Sequence, residues 1–290
     1  MNKVAIMTDT ISLMPQEIAD KYDIKLMPMG IVIEGKTYRD TEINLTEYYE
    51  QLPKWKEAGK LPTTCSINVW VFLETYRELS QKAEAILYIS HSAKLGMSPN
   101  VALQARAQVQ AELPQTAIEV IDSATACGAE MLIAIEAARA AAAGKSLSEV
   151  VEVANNMVKT INHIHLSDNL YYLAKGGRIH KARPWAGSNI TNTALLEMDA
   201  STGGEHRPLA RCKTKGQALK TLFDIVKQRS GGKKLHVAID HADAPVEAEE
   251  LKEKVLTQFQ CAEVFINPIL PVVASSTGLG ARLFSWWGED

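Results

Sequence analysis

Three short apolar runs, at residues 4–7, 86–89 and 118–121, are each followed directly by a polar segment: Thr8-Asp9-Thr10, Ser90-His91-Ser92 and Asp122-Ser123. Short apolar runs with polar punctuation read as buried strands, and Ser, Thr or Asp placed just after them cap the helix that follows. In an open parallel sheet the ligand site lies beyond the carboxyl ends of the strands. The three loops therefore bring Asp9, Thr10, Ser90, Ser92, Asp122 and Ser123 to one edge, and Thr64 joins them if the loop at 59–66 folds across that edge. Hydroxyls and helix N-terminal amides all donate hydrogen bonds, and the helix dipole favours negative charge, so the set suits an anion or a carboxylate. Any one of these residues is explained as a cap. Their convergence is what points to a ligand.

Other constellations are incomplete. Gly278-Leu279-Gly280 follows an apolar run, yet only ten residues remain after it, too few for the βαβ unit and ribose-binding acid of a dinucleotide site. Gly96-Met97-Ser98-Pro99 lacks the second glycine of a nucleophile elbow and reads as a helix start. His163 and His165 share one face of a strand, but no third ligand accompanies them; no metal is assigned, and a surface pair is the default. Cys65, Cys127, Cys212 and Cys261 lie far apart with no C-x-x-C pair, which supports neither a zinc site nor a disulfide framework and fits reduced thiols in the cytoplasm. Gly176-Gly177 ends a short helix that Asp168 caps, leaving Arg178, like Arg211, either solvated or available to an anion.

The elements that must position these residues follow from periodicity. A chain of 290 residues with 46% hydrophobic and 22% charged residues is a soluble globular protein of one large or two ordinary domains. Its net charge of −3 gives no basic face for nucleic acid. The longest uncharged stretch, 264–281, contains two prolines, several polar residues and two glycines, so the chain is not membrane-spanning. The N-terminal part alternates strands with helices and predicts a mostly parallel sheet flanked by helices. Residues 25–33 and 36–39 around Glu34-Gly35 read as a β-hairpin excursion, followed by a helix over 45–58 and a polar loop at 59–66 broken by Pro62. A helix over 124–143 stops at Gly144, and Ser146 with Glu149 forms a capping box for the next, to about 160. Beyond it come strands at 191–200 and 205–212, a helix at 214–230, a strand at 235–240, a helix at 245–259 and two short apolar runs. The expectation is an α/β chain in two domains: 1–160, α/β with the excursion at about 25–40, and 161–290, α+β with a mixed sheet.

Taken in order, many short motifs resemble the DegV family of bacterial fatty-acid-binding proteins. They are Met7-Thr8-Asp9-Thr10 with Leu13, Tyr38-Arg39-Asp40, Pro62-Thr63-Thr64-Cys65, Ser92 with Leu95 and Ala102, and Ile121-Asp122-Ser123. Leu173 with Lys175-Gly176-Gly177-Arg178-Ile179, Arg211 before Lys213, His241-Ala242-Asp243-Ala244-Pro245 and Thr277-Gly278-Leu279-Gly280 carry the resemblance to the C-terminus. It implies two α/β domains with a long-chain fatty acid between them, no cofactor and no catalysis by the chain itself. The acid is presented to a separate ATP-dependent fatty acid kinase that makes acyl phosphate. By position, Thr64 and Ser92 match the residues that hold the carboxylate, and Arg211 matches an arginine at the mouth of the site. Cys65, Asp9, Asp122, Ser123, Ser276, Thr277 and Gly278 fall on the periphery.

This chain departs from the family pattern at three places. Cys65 stands where a hydroxyl follows the threonine, Leu95-Gly96-Met97-Ser98 replaces Leu-Ser-Gly-Thr, and Ser276 replaces a histidine before Thr277, removing an ionisable group where phosphoryl transfer would take place. The alternative reading is an enzyme acting on a small anionic metabolite in the same cleft, with Asp9 or Asp122 as general base. A scaffold has no use for converging polar strand ends.

Overall fold

The structure, a computed structural model, describes residues 2–179 and 193–289. The first part of the chain runs β1 (Asn2–Asp9), α1 (Gln16–Tyr22), β2 (Ile24–Met27), β3 (Gly30–Ile33), β4 (Lys36–Arg39), α2 (Leu45–Glu57) and β5 (Thr63–Cys65). It continues with α3 (Val69–Ser80), β6 (Ala83–Ser90), α4 (Ser98–Val109), β7 (Ala117–Asp122), α5 (Cys127–Ala142) and α6 (Leu147–Thr160). Next come β8 (Asn162–Ser167), α7 (Tyr171–Lys175), β9 (Thr193–Glu197), β10 (Arg207–Cys212), α8 (Lys215–Ser230) and β11 (Lys234–His241). The chain closes with α9 (Pro245–Gln258), β12 (Cys261–Pro268), α10 (Pro271–Thr277) and β13 (Arg282–Glu289).

Four strands pair in parallel in the order β2-β1-β6-β7. Both faces are covered, and alternation sorts their residues. Val4, Ile6, Ala85, Leu87 and Ile89 pack toward α5 and α6, while Met7, Ile86 and Tyr88 pack toward α3 and α4. The second sheet is mixed, in the order β10-β9-β8-β13-β11-β12, with β11 and β12 parallel and the remaining pairs antiparallel. One face of it packs on α8 and α9 through Leu222, Val226, Leu251 and Val255.

Helix α5 is alanine-rich because it lies between the two sheets and is buried on nearly every side. At Gly128 a Cβ would sit 2.5 Å from the Ala238 Cβ on β11, and the Gly128 amide donates to Asp240 Oδ2 at 2.9 Å. The small residue is what allows the helix to approach the strand so closely. Helix α6 opens with the expected capping box: the Ser146 hydroxyl receives the Glu149 amide, and the Glu149 carboxylate receives the Ser146 amide. Among the described residues, no helix is long and apolar enough to cross a membrane.

The parallel and mixed sheets are those expected from the sequence, but four local readings need correction. Residues 25–33 are not one hairpin arm: β2 is the edge of the parallel sheet, and only β3 and β4 form the hairpin. The loop at 59–66 contains β5, which pairs antiparallel with β3 and completes a three-stranded sheet, β4-β3-β5. Asp168 does not cap α7; Asn169 Oδ1 accepts from the Tyr171 amide at 2.8 Å, and Asp168 instead accepts from Arg282 Nη2 at 3.3 Å. The last apolar runs are separated by α10, and β13 inserts between β8 and β11 in the middle of the mixed sheet. Of the strand expected at 191–200, residues 191 and 192 lie outside the described residues, and β9 covers Thr193–Glu197. Trp286 is fully buried against Phe284, and Trp287 stacks flat on His236 with ring centroids 4.4 Å apart.

Candidate functional site

A cavity of about 440 Å³ lies where the loop after β6, strand β5, the His163 and His165 face of β8 and helices α7 and α10 meet. Its size falls within the range of small-molecule sites, roughly 300–1,000 Å³. Ile11, Met29, Leu95, Leu173, Val272 and Leu283 supply apolar wall. The polar wall includes Thr64, Ser276, Thr277, Lys94, Arg178 and four imidazoles, from His91, His163, His165 and His206. Among the described residues lining it, none is Asp or Glu.

Thr64 is placed by β5, paired with Ile31 of β3. Arg178, just past the left-handed Gly177 that ends α7, turns back so that Nη2 donates to Thr64 Oγ1 at 3.4 Å. Burial holds its guanidinium below the ordinary arginine value, and among the described residues it has no carboxylate partner. Ser276 and Thr277 come from the end of α10, where the Thr277 hydroxyl donates back to Val273 O at 3.1 Å. Gly278 follows with φ +75°; a Cβ there would lie 2.3 Å from the Tyr172 ring, so the turn needs glycine to let α7 pack against α10. Cys65 lines the cavity beside Thr64, and its sulfur packs against Gly30.

The other expected residues stand behind the wall. Ser92 is fully buried and does not line the cavity: Oγ donates to Gly204 O at 2.8 Å and accepts from the Lys94 amide at 3.2 Å. Asp9 is fully buried, with Oδ1 accepting from the Ile11 amide at 3.0 Å and Oδ2 from Tyr88 Oη at 2.9 Å and His91 Nδ1 at 2.8 Å. Thr10 donates to Asp40 Oδ2 at 2.7 Å, and burial raises the Asp40 carboxyl to about 6. Asp122 is exposed and accepts from the Ala124 amide at 2.8 Å and the Ala93 amide at 3.2 Å. Ser123 bonds Thr125, whose backbone carbonyl receives the Ser92 amide at 2.7 Å and whose hydroxyl donates to Met198 O at 3.0 Å. The loop at 122–125 is therefore a clasp holding the loop after β6 to the end of β9. Arg211 is exposed on β10, opposite Ala194, and does not line the cavity.

The histidines are what sequence reasoning missed. His163 and His165 do share a face of β8, but that face is buried and not a surface. Their spacing was the available signal. That β13 pairs beside them, with Leu283 opposite His165, is a tertiary fact. The described residues hold one acid-histidine group with ligand atoms within 4.8 Å of one another, Glu136, His236 and Glu263, and none of the three lines the cavity. Arg139 already pairs with both of its carboxylates, so the site carries its own cation.

A parallel and a mixed sheet clamped on one buried helix, with a cavity at their joined loops that no described Asp or Glu lines, define an α/β protein built around a cavity. The chain belongs to the DegV family: the family model described as "Uncharacterised protein, DegV family" matches residues 3–287. A DegV domain-containing protein of Streptococcus pyogenes serotype M1 is 30% identical over 273 residues, 94% of each chain. A solved structure of a DegV lipid-binding protein from Thermotoga maritima is 25% identical, with a TM-score of 0.86 over 99% of each chain. The fold also matches a DegV family protein from Thermus thermophilus described by its fatty acid binding, with a TM-score of 0.90 at 23% identity, covering 99% of this chain and 100% of that one. The motif resemblance and the fold class are thus confirmed.

Proposed function

We propose that the protein holds a long-chain fatty acid in this cavity and presents its carboxylate to a separate ATP-dependent kinase for acyl-phosphate formation, without catalysis of its own. The observation that carries the reading is the wall itself. Among the described residues it combines apolar side chains with a guanidinium that has no acid partner, set against the hydroxyl of Thr64, and it contains no carboxylate. A carboxylate leaving water needs donors to replace its hydration, and a charge-assisted bond to a guanidinium is the stronger kind. The tail contributes about 0.8 kcal/mol per buried CH₂.

In this reading Thr64 and Arg178 hold the carboxylate beside Ser276 and Thr277, and Ser92 positions the loop that forms the wall above them. The cavity lies between two domains, 1–160 and 161–290, since its walls come from both parts of the chain. Arg211 and the turn at Gly278 mark the face for the kinase. The reading puts the protein in the cytoplasm, where a kinase finds ATP and where four free cysteines stay reduced. The small-metabolite enzyme lacks support, because Asp9 and Asp122, its candidate bases, are both engaged behind the wall.

The test is mass spectrometry of a denaturing organic extract, with Thr64→Ala and Arg178→Ala beside the wild type. About one long-chain fatty acid per chain is expected, with affinity weakened roughly 10- to 100-fold in Arg178→Ala, the worth of a hydrogen bond to a charged group. An empty extract and no uptake of added fatty acid by the wild type would overturn the reading. For the handover, a fatty acid kinase should form acyl phosphate only when the loaded protein is supplied; equal turnover with free fatty acid would remove the presenting role.

A further inference from the structure

The side of the cavity formed by the mixed sheet is unusual for a site meant to hold hydrocarbon. Along β8, Ile164 and Leu166 point to the core beneath α8, while His163 and His165 point into the cavity. His206, just before β10, meets His165 edge to face with ring centroids 5.9 Å apart. All three imidazoles are nearly or fully buried. Among the described residues neither nitrogen of His165 has a hydrogen-bond partner, nor does Nε2 of His91, whose Nδ1 is taken by Asp9. His163 Nδ1 meets Ser285 Oγ at 2.9 Å, and His206 Nδ1 donates to Arg178 O at 3.2 Å.

Buried polar atoms without partners are rare in folded proteins, and leaving one beside a hydrocarbon chain costs most of its lost hydration. The pattern on β8 shows that aliphatic side chains are accommodated on this strand, so imidazoles at both cavity-facing positions call for a ligand that bonds them. Burial pushes His163 down to about 3 and His206 to about 4, and holds His165 well below its ordinary value, with His206, His163 and Arg282 adding to the effect. The cluster is therefore neutral. Neutral imidazole offers one donor and one acceptor, which does not match a second carboxylate but does match a hydroxyl, itself both donor and acceptor.

We propose that the preferred ligand is a hydroxylated acyl chain, its hydroxyl group bonded to the imidazoles of His165 and its neighbours on the β8 wall. This rests on the fatty-acid reading above and specifies the ligand class for the same cavity. The experiment is calorimetric titration of stripped protein with stearate, 10-hydroxystearate and 12-hydroxystearate. At least one hydroxy acid is expected to bind about tenfold more tightly than stearate, the worth of roughly one hydrogen bond in a dry site. His165→Leu is expected to abolish or reverse that preference. Stearate binding as tightly as both hydroxy acids would overturn this inference while leaving the fatty-acid reading intact; no binding of any of the three would overturn both. A preference that survives in His165→Leu with unchanged Tm would overturn the assignment to His165. If that variant fails to fold, the ratio measured on the wild type decides alone.

Discussion

Replacing Ser92 with alanine removes one oxygen that makes two hydrogen bonds, donating to Gly204 O at 2.8 Å and accepting from the Lys94 amide at 3.2 Å. The two loops it joins are packed hard together: a Cβ at Gly204 would lie 2.3 Å from that same hydroxyl. Without it the Gly204 carbonyl is left buried and unpaired, while the partly buried Lys94 amide can turn toward water. The cost is about 2 kcal/mol, within the ~1–3 kcal/mol of a buried unsatisfied group. At roughly 2–4 °C per kcal/mol for chains approaching this size, Tm should fall by about 4–8 °C. The assay is thermal unfolding of ligand-free protein, with fatty-acid titrations of wild type, Ser92→Ala and Thr64→Ala in parallel. Ser92→Ala is expected to lose stability and to keep its affinity within about threefold, one hydrogen bond being worth more than that when it holds the ligand itself. Thr64→Ala should show the opposite pattern. An unchanged Tm for ligand-free Ser92→Ala, together with a tenfold loss of affinity, would refute this reasoning. It would mean that the hydroxyl leaves Gly204 to bind the carboxylate, the role that its sequence motif implies.

Two further substitutions test the frame around the cavity. Gly278→Ala drives a Cβ to 2.3 Å from the Tyr172 ring at a φ of +75°, so it should destabilise the fold by about 3 kcal/mol and weaken ligand binding by displacing α7 and Arg178; wild-type Tm and affinity would mean that α7 and α10 can separate freely. Asp240, fully buried under Gly128 and Asn267, has its carboxyl raised by burial from 3.8 to about 7. The native state therefore keeps a proton that the unfolded chain releases near pH 4. The stability from this group is fully present below pH 4 and is lost as pH rises toward 7, by up to about 1.4 kcal/mol per pH unit. Asp240→Asn should flatten the dependence of Tm on pH across that window relative to wild type, and an identical slope in both would show that Asp240 is ionised in the fold.

What could be read from sequence was whatever local chemistry decides. The strand ends at Asp9, Ser90 and Asp122 announce themselves because polar residues stop an apolar run, and Ser146 with Glu149 marks a helix start by reciprocal capping. Pairing partners are not local. Met27 ends its register with Asp9 in the parallel sheet, and three residues later Gly30 pairs with Arg39 and Cys65 in another, so the run at 25–33 looks like one strand and serves two sheets. Thr63–Cys65 becomes a strand only because β3 offers it an edge. The shared face of His163 and His165 was legible from alternation, but its burial depends on β13, which comes more than a hundred residues later and inserts beside β8. Ser92 and Thr64 looked alike as hydroxyls; Gly204, a backbone carbonyl far along the chain, is what separates their environments.

The fate of the acids explains why the cavity suits an anion. Asp9 organises the loop after β1 and fixes His91; Asp122 holds the amides of Ala93 and Ala124; Asp40 ties Thr10 to the loop after β4; Asp168 pairs with Arg282. Each carboxylate is turned away from the cavity and toward donors that would otherwise compete for a ligand or be stranded by burial. In the proposed function the donors left on the wall, Thr64 and Arg178 above all, then meet an incoming carboxylate with no like charge beside it among the described residues. Using one of those acids as a general base would require freeing it first. Freeing Asp9 would release the Ile11 amide, Tyr88 Oη and His91 Nδ1 together, dismantling the wall that a substrate would need. These loops keep their bonds when the cavity binds a ligand, whereas a carboxylate base taken from them would need some of those bonds broken.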